Sequence, residues 1–257
     1  MTALDAYADD DLAALYDLVY DAFDDDIPLY REFARRAASP VLELCAGSGR
    51  VTIPLAQDDV DLVALDASPP MLDRLRSRLD EATAPRVRLV EADMRDFDLG
   101  RQFELAFCAF GSFEQILTTD DQLACLRTVA RHVAPGGVFV AELRSLTAID
   151  WDAEPHLLHE WTRPDPSTGG QISKLRSVAV SRARQITIDT VMFDRTAVDG
   201  AVRRTTLEVP MRAIGRFELE LLLDRAGLRL AALYGDTALS PYTDESDSMI
   251  FVAELQA

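Results

Sequence analysis

Three carboxylates stand at or just after the ends of three short apolar runs: Glu43 in "VLELC", Asp66 in "VDLVALD" and Asp93 in "RVRLVEAD". Between the first and second runs lies "CAGSGR", residues 45–50, a loop that holds Gly47 and Gly49. A strand that feeds such a loop and then a helix aims backbone N–H groups and the positive helix end at a ligand. A carboxylate at Asp66 can accept from both hydroxyls of a ribose, and one at Asp93 from an exocyclic amine. Met71 and Met94 are apolar and adaptable enough to line an adenine face. Each residue alone has a plainer use, since strand-end acids cap helices or face solvent and a methionine beside a sheet is commonly core. Their joint recurrence at successive strand ends is the specific signal. A dinucleotide site is the first rival, but its G-x-G-x-x-G fingerprint fails in both registers. Read from Gly47 the loop has Thr52 in the third place, and read from Cys45 it lacks the first glycine.

The elements that must gather these residues follow from periodicity. Apolar residues recur at three- and four-residue steps over 10–38, which predicts helix interrupted at Pro28. "GRVTIPLAQ" and "SPPMLDRLRSRLDEA" read as helices after the first and second strands, the latter with Ser68 as cap and proline in its first turn. "FELAFCAF" and "VFVAEL" are a fourth and a fifth strand. "TTDDQLACLRTVARHVAPGG", between them, is a helix opened by Thr118 or Thr119 and closed at Pro135, Gly136 and Gly137. Five apolar strands alternating with helices predict a parallel sheet covered on both faces, with ligands beyond the carboxyl ends of its strands. From 157 to 211 the chain is rich in Thr, Val and Ile and reads as inserted antiparallel strands, with turns at "PDPSTGG" and "VDG". The α/β pattern resumes with the helix "FELELLLDRAG", capped at Gly227, and two final strands.

Composition narrows the function classes. The chain has 257 residues, 48% hydrophobic, and a net charge of -18. That charge repels nucleic acid and anionic membranes, and no apolar run approaches a membrane span. The start of the chain carries nine acids and no base in residues 1–26, unlike a secretory or transit signal, so a soluble cytoplasmic protein is expected. Cys45, Cys108 and Cys125 are odd in number and scattered, which disfavours a disulfide framework or a metal site. Residues 171–216 hold nine Lys/Arg against four Asp/Glu, either a solvated surface or a cationic wall toward a substrate.

"ELCAGSGR", "LVALDASPPML", "VEADMRDF" and "APGGVFV" resemble the successive motifs of class I S-adenosylmethionine-dependent methyltransferases. "ALYDLVYD", "FELELLLDRAG" and "LYGDTALSPYTDES" are similar to the small-molecule branch that includes amino-sugar N-methyltransferases of natural-product pathways. Cys45 stands where many members have glycine. The resemblance implies a Rossmann-like, doubly wound, seven-stranded mostly parallel α/β sheet. It divides the chain into a helical lid at 1–38, a cofactor domain at 39–144 and 213–257, and an antiparallel β insert at 145–212. It also implies S-adenosylmethionine as cofactor. Glu43 and the backbone around Ala46, Gly47 and Gly49 would hold its methionine end, and Asp66 its ribose. Ala67 and Met71 would flank the adenine, and Asp93 would take its amine with Met94 alongside. Cys108 to Phe110 would pass near the sulfonium, and Tyr16 and Tyr30 would close over it.

The acceptor is expected to be a small molecule, an amine nitrogen first, with O- or C-methylation as the alternative. A protein that keeps the cofactor for another chemistry, such as cyclisation or decarboxylation, is a second class. Glu114 and His159 are the candidate bases. Trp151, Arg144, Arg176 and Tyr234 are candidate substrate contacts on the fifth strand, the insert and a late strand. The inserted sheet would cover the substrate side or pair with its copy in a homodimer.

Overall fold

The computed structural model describes residues 10–38, 40–165 and 168–256. Residues 1–9 of the expected lid, and two residues of the "PDPSTGG" turn, lie outside them. The predicted N-terminal helix is two: α1 (Asp10–Tyr20) and α2 (Ile27–Arg36). Pro28 sits in the first turn of α2, where its missing N–H costs nothing, so it starts a helix instead of kinking one.

Strands β1 (Val41–Leu44), β2 (Leu62–Asp66), β3 (Val87–Glu91), β4 (Phe103–Cys108) and β5 (Val133–Arg144) then alternate with α3 (Thr52–Gln57), α4 (Pro69–Arg78) and α5 (Thr119–His132). β6 (Leu158–Pro164), β7 (Gln171–Ser181), β8 (Ile186–Thr196) and β9 (Val202–Arg212) follow, then α6 (Arg216–Ala226), β10 (Leu228–Tyr234) and β11 (Ser248–Leu255). The main sheet has the order β10-β11-β5-β4-β1-β2-β3, and β11 runs antiparallel to both its neighbours. This is the doubly wound, seven-stranded, mostly parallel sheet that the resemblance implies, with the five parallel strands that the pattern predicts side by side within it. β6 to β9 form a separate antiparallel sheet in sequential order.

Period-two alternation sends the main sheet's side chains to two cores. Leu42, Leu44, Val63 and Leu65 pack with α5 and α6, while Val41, Leu62 and Ala64 pack with α2, α3 and α4. Ser68 caps α4 through Met71 N and Thr118 caps α5 through Asp121 N. α5 ends at His132, earlier than the Pro–Gly–Gly signal. Val133 already pairs with Phe103, and the signal becomes an irregularity within β5.

The insert leaves after β5, whose carboxyl end lies on the same edge as those of β1 to β4, so the second sheet stands over that edge. α1 lies between the two. Leu15 joins the apolar inner face of the second sheet with Ile172, Val191, Phe193, Leu207 and Val209. On its other side Asp17 takes Ser48 Oγ, Arg74 and Arg78, and Asp21 pairs with Arg78.

The glycine loop depends on the lack of a side chain at Gly49. Its φ is +92°, and a Cβ there would lie 2.2 Å from Leu75 Cδ1 on α4. Gly49→Ala should therefore cost about 1–3 kcal/mol through strain and overpacking, read as a lower midpoint in denaturant unfolding.

Candidate active site

A cavity of about 650 Å³ opens between the carboxyl edge of the main sheet and the inner face of the second sheet, with α1 as its flank. One end is built from the residues that follow β1, β2 and β3: Cys45, Gly47, Asp66, Ala67, Ser68, Met71, Asp93, Met94 and Arg95. The other end is walled by Tyr20 of α1, Glu160, Lys174 and Arg176 of β6 and β7, Asp189, Val191 and Phe193 of β8, and Leu207, Val209 and Met211 of β9. Ser112 and Gln115, from the loop after β4, join the two ends.

Asp66 is fixed by backbone. One carboxylate oxygen accepts from Gly47 N and the other from Ser68 N, both at 2.8 Å. Burial pushes its pKa up, while those N–H groups pull it back toward the ionised form. Gly47 has a φ of +56°, and nothing lies within 4 Å of where a Cβ would stand, so the loop presents bare backbone to open space. Asp93 is held by Arg95 through a 2.6 Å contact to Nη2, and this guanidinium lowers its pKa. Arg95 also reaches Asp121 at 3.5 Å. Met71 and Met94 line the same end, and Cys45 Sγ lies 3.5 Å from Met94 Sδ.

Several residues expected at the site sit elsewhere. Glu43 is 2% exposed and points to the α3 side of the sheet, where Thr52 Oγ1 donates to it. Burial drives its pKa up to about 8, so it is a neutral acid under the loop at neutral pH. Ala46 is buried with the same core, and Gly49 serves packing. Cys108 is fully buried among the α5-side core residues. Tyr30 stacks on Phe107 at 4.7 Å, because α2 covers the flank of the sheet and only α1 reaches the rim.

The candidate bases are displaced as well. Glu114 is fully buried behind the cavity wall, with Oε2 accepting from Arg144 Nε at 3.3 Å, and burial raises its pKa to about 7. Arg144 in turn donates to Thr187 Oγ1 of β8 at 2.7 Å. This pair fastens the two sheets together and does not line the cavity. His159 is exposed and contacts Thr162 Oγ1. Its neighbour Glu160 lines the cavity instead, at a bulge where the pairing of β6 with β7 shifts register between His159 and Trp161. Trp151 Nε1 donates to Leu146 O in the linker, and Tyr234 lies on the edge strand β10 beside Pro241.

Tyr16, Phe110 and Arg176 do line the cavity. Tyr16 is hydrogen-bonded to Arg50, and burial pushes its phenol up to about 12. Arg50 pairs with buried Asp26 at 2.5 and 2.7 Å and lies over the rings of Phe23 and Phe110. Sequence reading missed Tyr20, Glu160, Lys174 and Asp189. The period-two apolar pattern of β8 and β9 was the signal that could have shown which insert residues face inward.

A doubly wound sheet with a glycine loop, a backbone-held acid after β2 and a second acid after β3 defines a protein that binds a nucleoside-containing cofactor at the sheet's rim. Residues 41–137 match the family described as "Methyltransferase domain". Cypemycin N-terminal methyltransferase of a Streptomyces species is 29% identical over 84% of this chain and 83% of its own. The dTDP-3-amino-3,4,6-trideoxy-alpha-D-glucopyranose N,N-dimethyltransferase of Streptomyces venezuelae is 36% identical over 105 residues. That match spans 41% of this chain and 42% of the relative, less than half of either. The CcbJ methyltransferase of Streptomyces caelestis shares the fold, with a TM-score of 0.81 at 24% identity over 98% of both chains. Residues 41–137 thus match a methyltransferase domain, and the whole chain has the fold of methyltransferases that use S-adenosylmethionine.

The residues present fit that cofactor. Asp66 offers acceptor capacity for ribose hydroxyls, the backbone at Gly47 is open, and Met71 and Met94 supply an apolar slot. Two outcomes are expected. Asp66→Asn should weaken S-adenosylhomocysteine binding about 10- to 100-fold in calorimetry and also lower the melting temperature, because its amide nitrogen cannot accept from one of the two backbone N–H groups. Glu43 has a folded pKa above its unfolded value, so its contribution to stability is complete below about 4.5 and is lost as pH rises toward 8. Glu43→Gln should therefore match the parent at pH 4 and melt higher at pH 9, which a pH series of thermal melts checks.

Proposed function

We propose that this enzyme methylates an amine nitrogen of a small specialised metabolite, held in the half of the cavity under the second sheet. The observation that carries this is the cavity's continuity: cofactor-type residues at one end and a separate walled chamber at the other, both flanked by α1. When bound, S-adenosylmethionine supplies a methyl group already activated on a positive sulfur. The chain's task is then to align an acceptor against it and to exclude water, which can contribute on the order of 7–11 kcal/mol. Asp66, Asp93, Met71 and Met94 would hold the cofactor, and α1 would close the flank.

Nitrogen is favoured over oxygen by the wall's chemistry. A neutral amine attacks with its own lone pair, whereas an alcohol needs a base to take its proton. Among the described residues the cavity lining contains no histidine, and Glu160 and Asp189 are engaged by Lys174 and Arg176. Burial and nearby Asp189 raise the pKa of Tyr20, which keeps it a neutral phenol. The amine specificity in the relatives' names points the same way: an N-terminal methyltransferase and an N,N-dimethyltransferase.

Incubation with methyl-labelled cofactor and matched amine and alcohol acceptors is the test. Label should appear on nitrogen, with a rate that rises with pH as the acceptor loses its proton. Label found only on oxygen or carbon, or cofactor binding with no transfer to any acceptor, would overturn the reading.

A further inference from the structure

We infer that the acceptor chamber takes an amine carried on an apolar body without a nucleoside diphosphate or other polyanionic handle, an inference that rests on the amine reading above and narrows it. Charge around the cavity is the basis. Among the described residues lining it, five are carboxylates (Asp66, Asp93, Asp121, Glu160 and Asp189) and three are cations (Arg95, Lys174 and Arg176). The balance is negative.

No lining cation is left over for an anion. Arg95 lies 2.6 Å from Asp93 and 3.5 Å from Asp121, Lys174 lies 2.7 Å from Glu160, and Arg176 lies 2.6 Å from Asp189. Each pair has one member set into the wall, Lys174 at 8% and Asp189 at 13% exposure, and one nearer solvent, Glu160 at 29% and Arg176 at 39%. A diphosphate entering the chamber would have to break two such pairs and leave their carboxylates facing it. In a partly desolvated site that is a heavy penalty. An ammonium meets the opposite situation, because Glu160 and Asp189 each keep acceptor capacity, and the carboxylates in excess of cations lie in the adjoining part of the same cavity.

The rest of the wall suits an apolar body. Leu12, Leu15 and Val19 of α1 face Val191, Leu207 and Val209 of β8 and β9. Tyr20 lies beside the charged rows, with Lys174 Nζ 5.7 Å from its ring centroid.

The test uses the full chain loaded with S-adenosylhomocysteine and two probes at millimolar concentration: n-hexylammonium and inorganic pyrophosphate, with dTDP as a third arm. Hexylammonium should raise the melting temperature, while pyrophosphate and dTDP should leave it unchanged. Asp189→Asn, which frees Arg176, should weaken hexylammonium binding about tenfold and admit pyrophosphate. Glu160→Gln should do the same through Lys174. Unchanged S-adenosylhomocysteine affinity in both variants reports that they are folded. Stabilisation of the parent by pyrophosphate or dTDP, or no response to hexylammonium, would overturn the inference. N-methylation of a dTDP-linked amino sugar would sink it while leaving the amine reading intact, whereas transfer only to oxygen would sink the amine reading itself.

Discussion

One carboxylate organises the cofactor end of this protein. Asp66 accepts from Gly47 on one side and Ser68 on the other, so it ties the loop after β1 to the cap of α4. Burial raises the pKa of this acid, and the backbone N–H groups that it accepts from work against that rise. Glu43 shows the contrast. It lies one strand away, receives a hydroxyl from Thr52 and no backbone donor, and its pKa rises to about 8. Two acids on neighbouring strands are thus held by different donors, and only Asp66 faces the cavity.

The order of elements in the main sheet was readable because parallel strands, glycine turns and capped helices each leave a local pattern. Ser68, Thr118 and Gly227 cap where the sequence places them. Side-chain direction was harder. Glu43, Cys108 and Tyr30 belong to the right elements, yet the alternation of a strand or the placement of a helix turns them into cores. Glu114 looked like a loop acid and is instead the buried partner of Arg144, a contact between residues 30 apart that no local pattern encodes. In the insert the strands are legible, but the bulge at Glu160 is not, and it is Glu160 and not His159 that lines the cavity.

Around the glycine loop a second arrangement supports the first. Arg50 lies in the loop, pairs with buried Asp26, and is covered by Phe23 and Phe110. Phe110 has a left-handed backbone, with a φ of 56°, and it touches Tyr20 at 5.2 Å between ring centroids. The loop after β1, the link between α1 and α2, and the loop after β4 are therefore tied to one another. A buried ion pair of this kind contributes less through raw attraction than through the penalty for separating it, which holds three segments in one arrangement.

The clamp on α1 is of a different character. Its contacts to Arg74 and Arg78 involve guanidinium groups about a third exposed, within reach of dissolved ions. Its contacts to the second sheet are largely apolar. Counter-ions compete with the first set and strengthen or ignore the second. Dissolved salt should therefore loosen the seat of α1 on the glycine loop and α4 while leaving its seat on the second sheet in place, so the two faces of one helix answer differently to the same solvent.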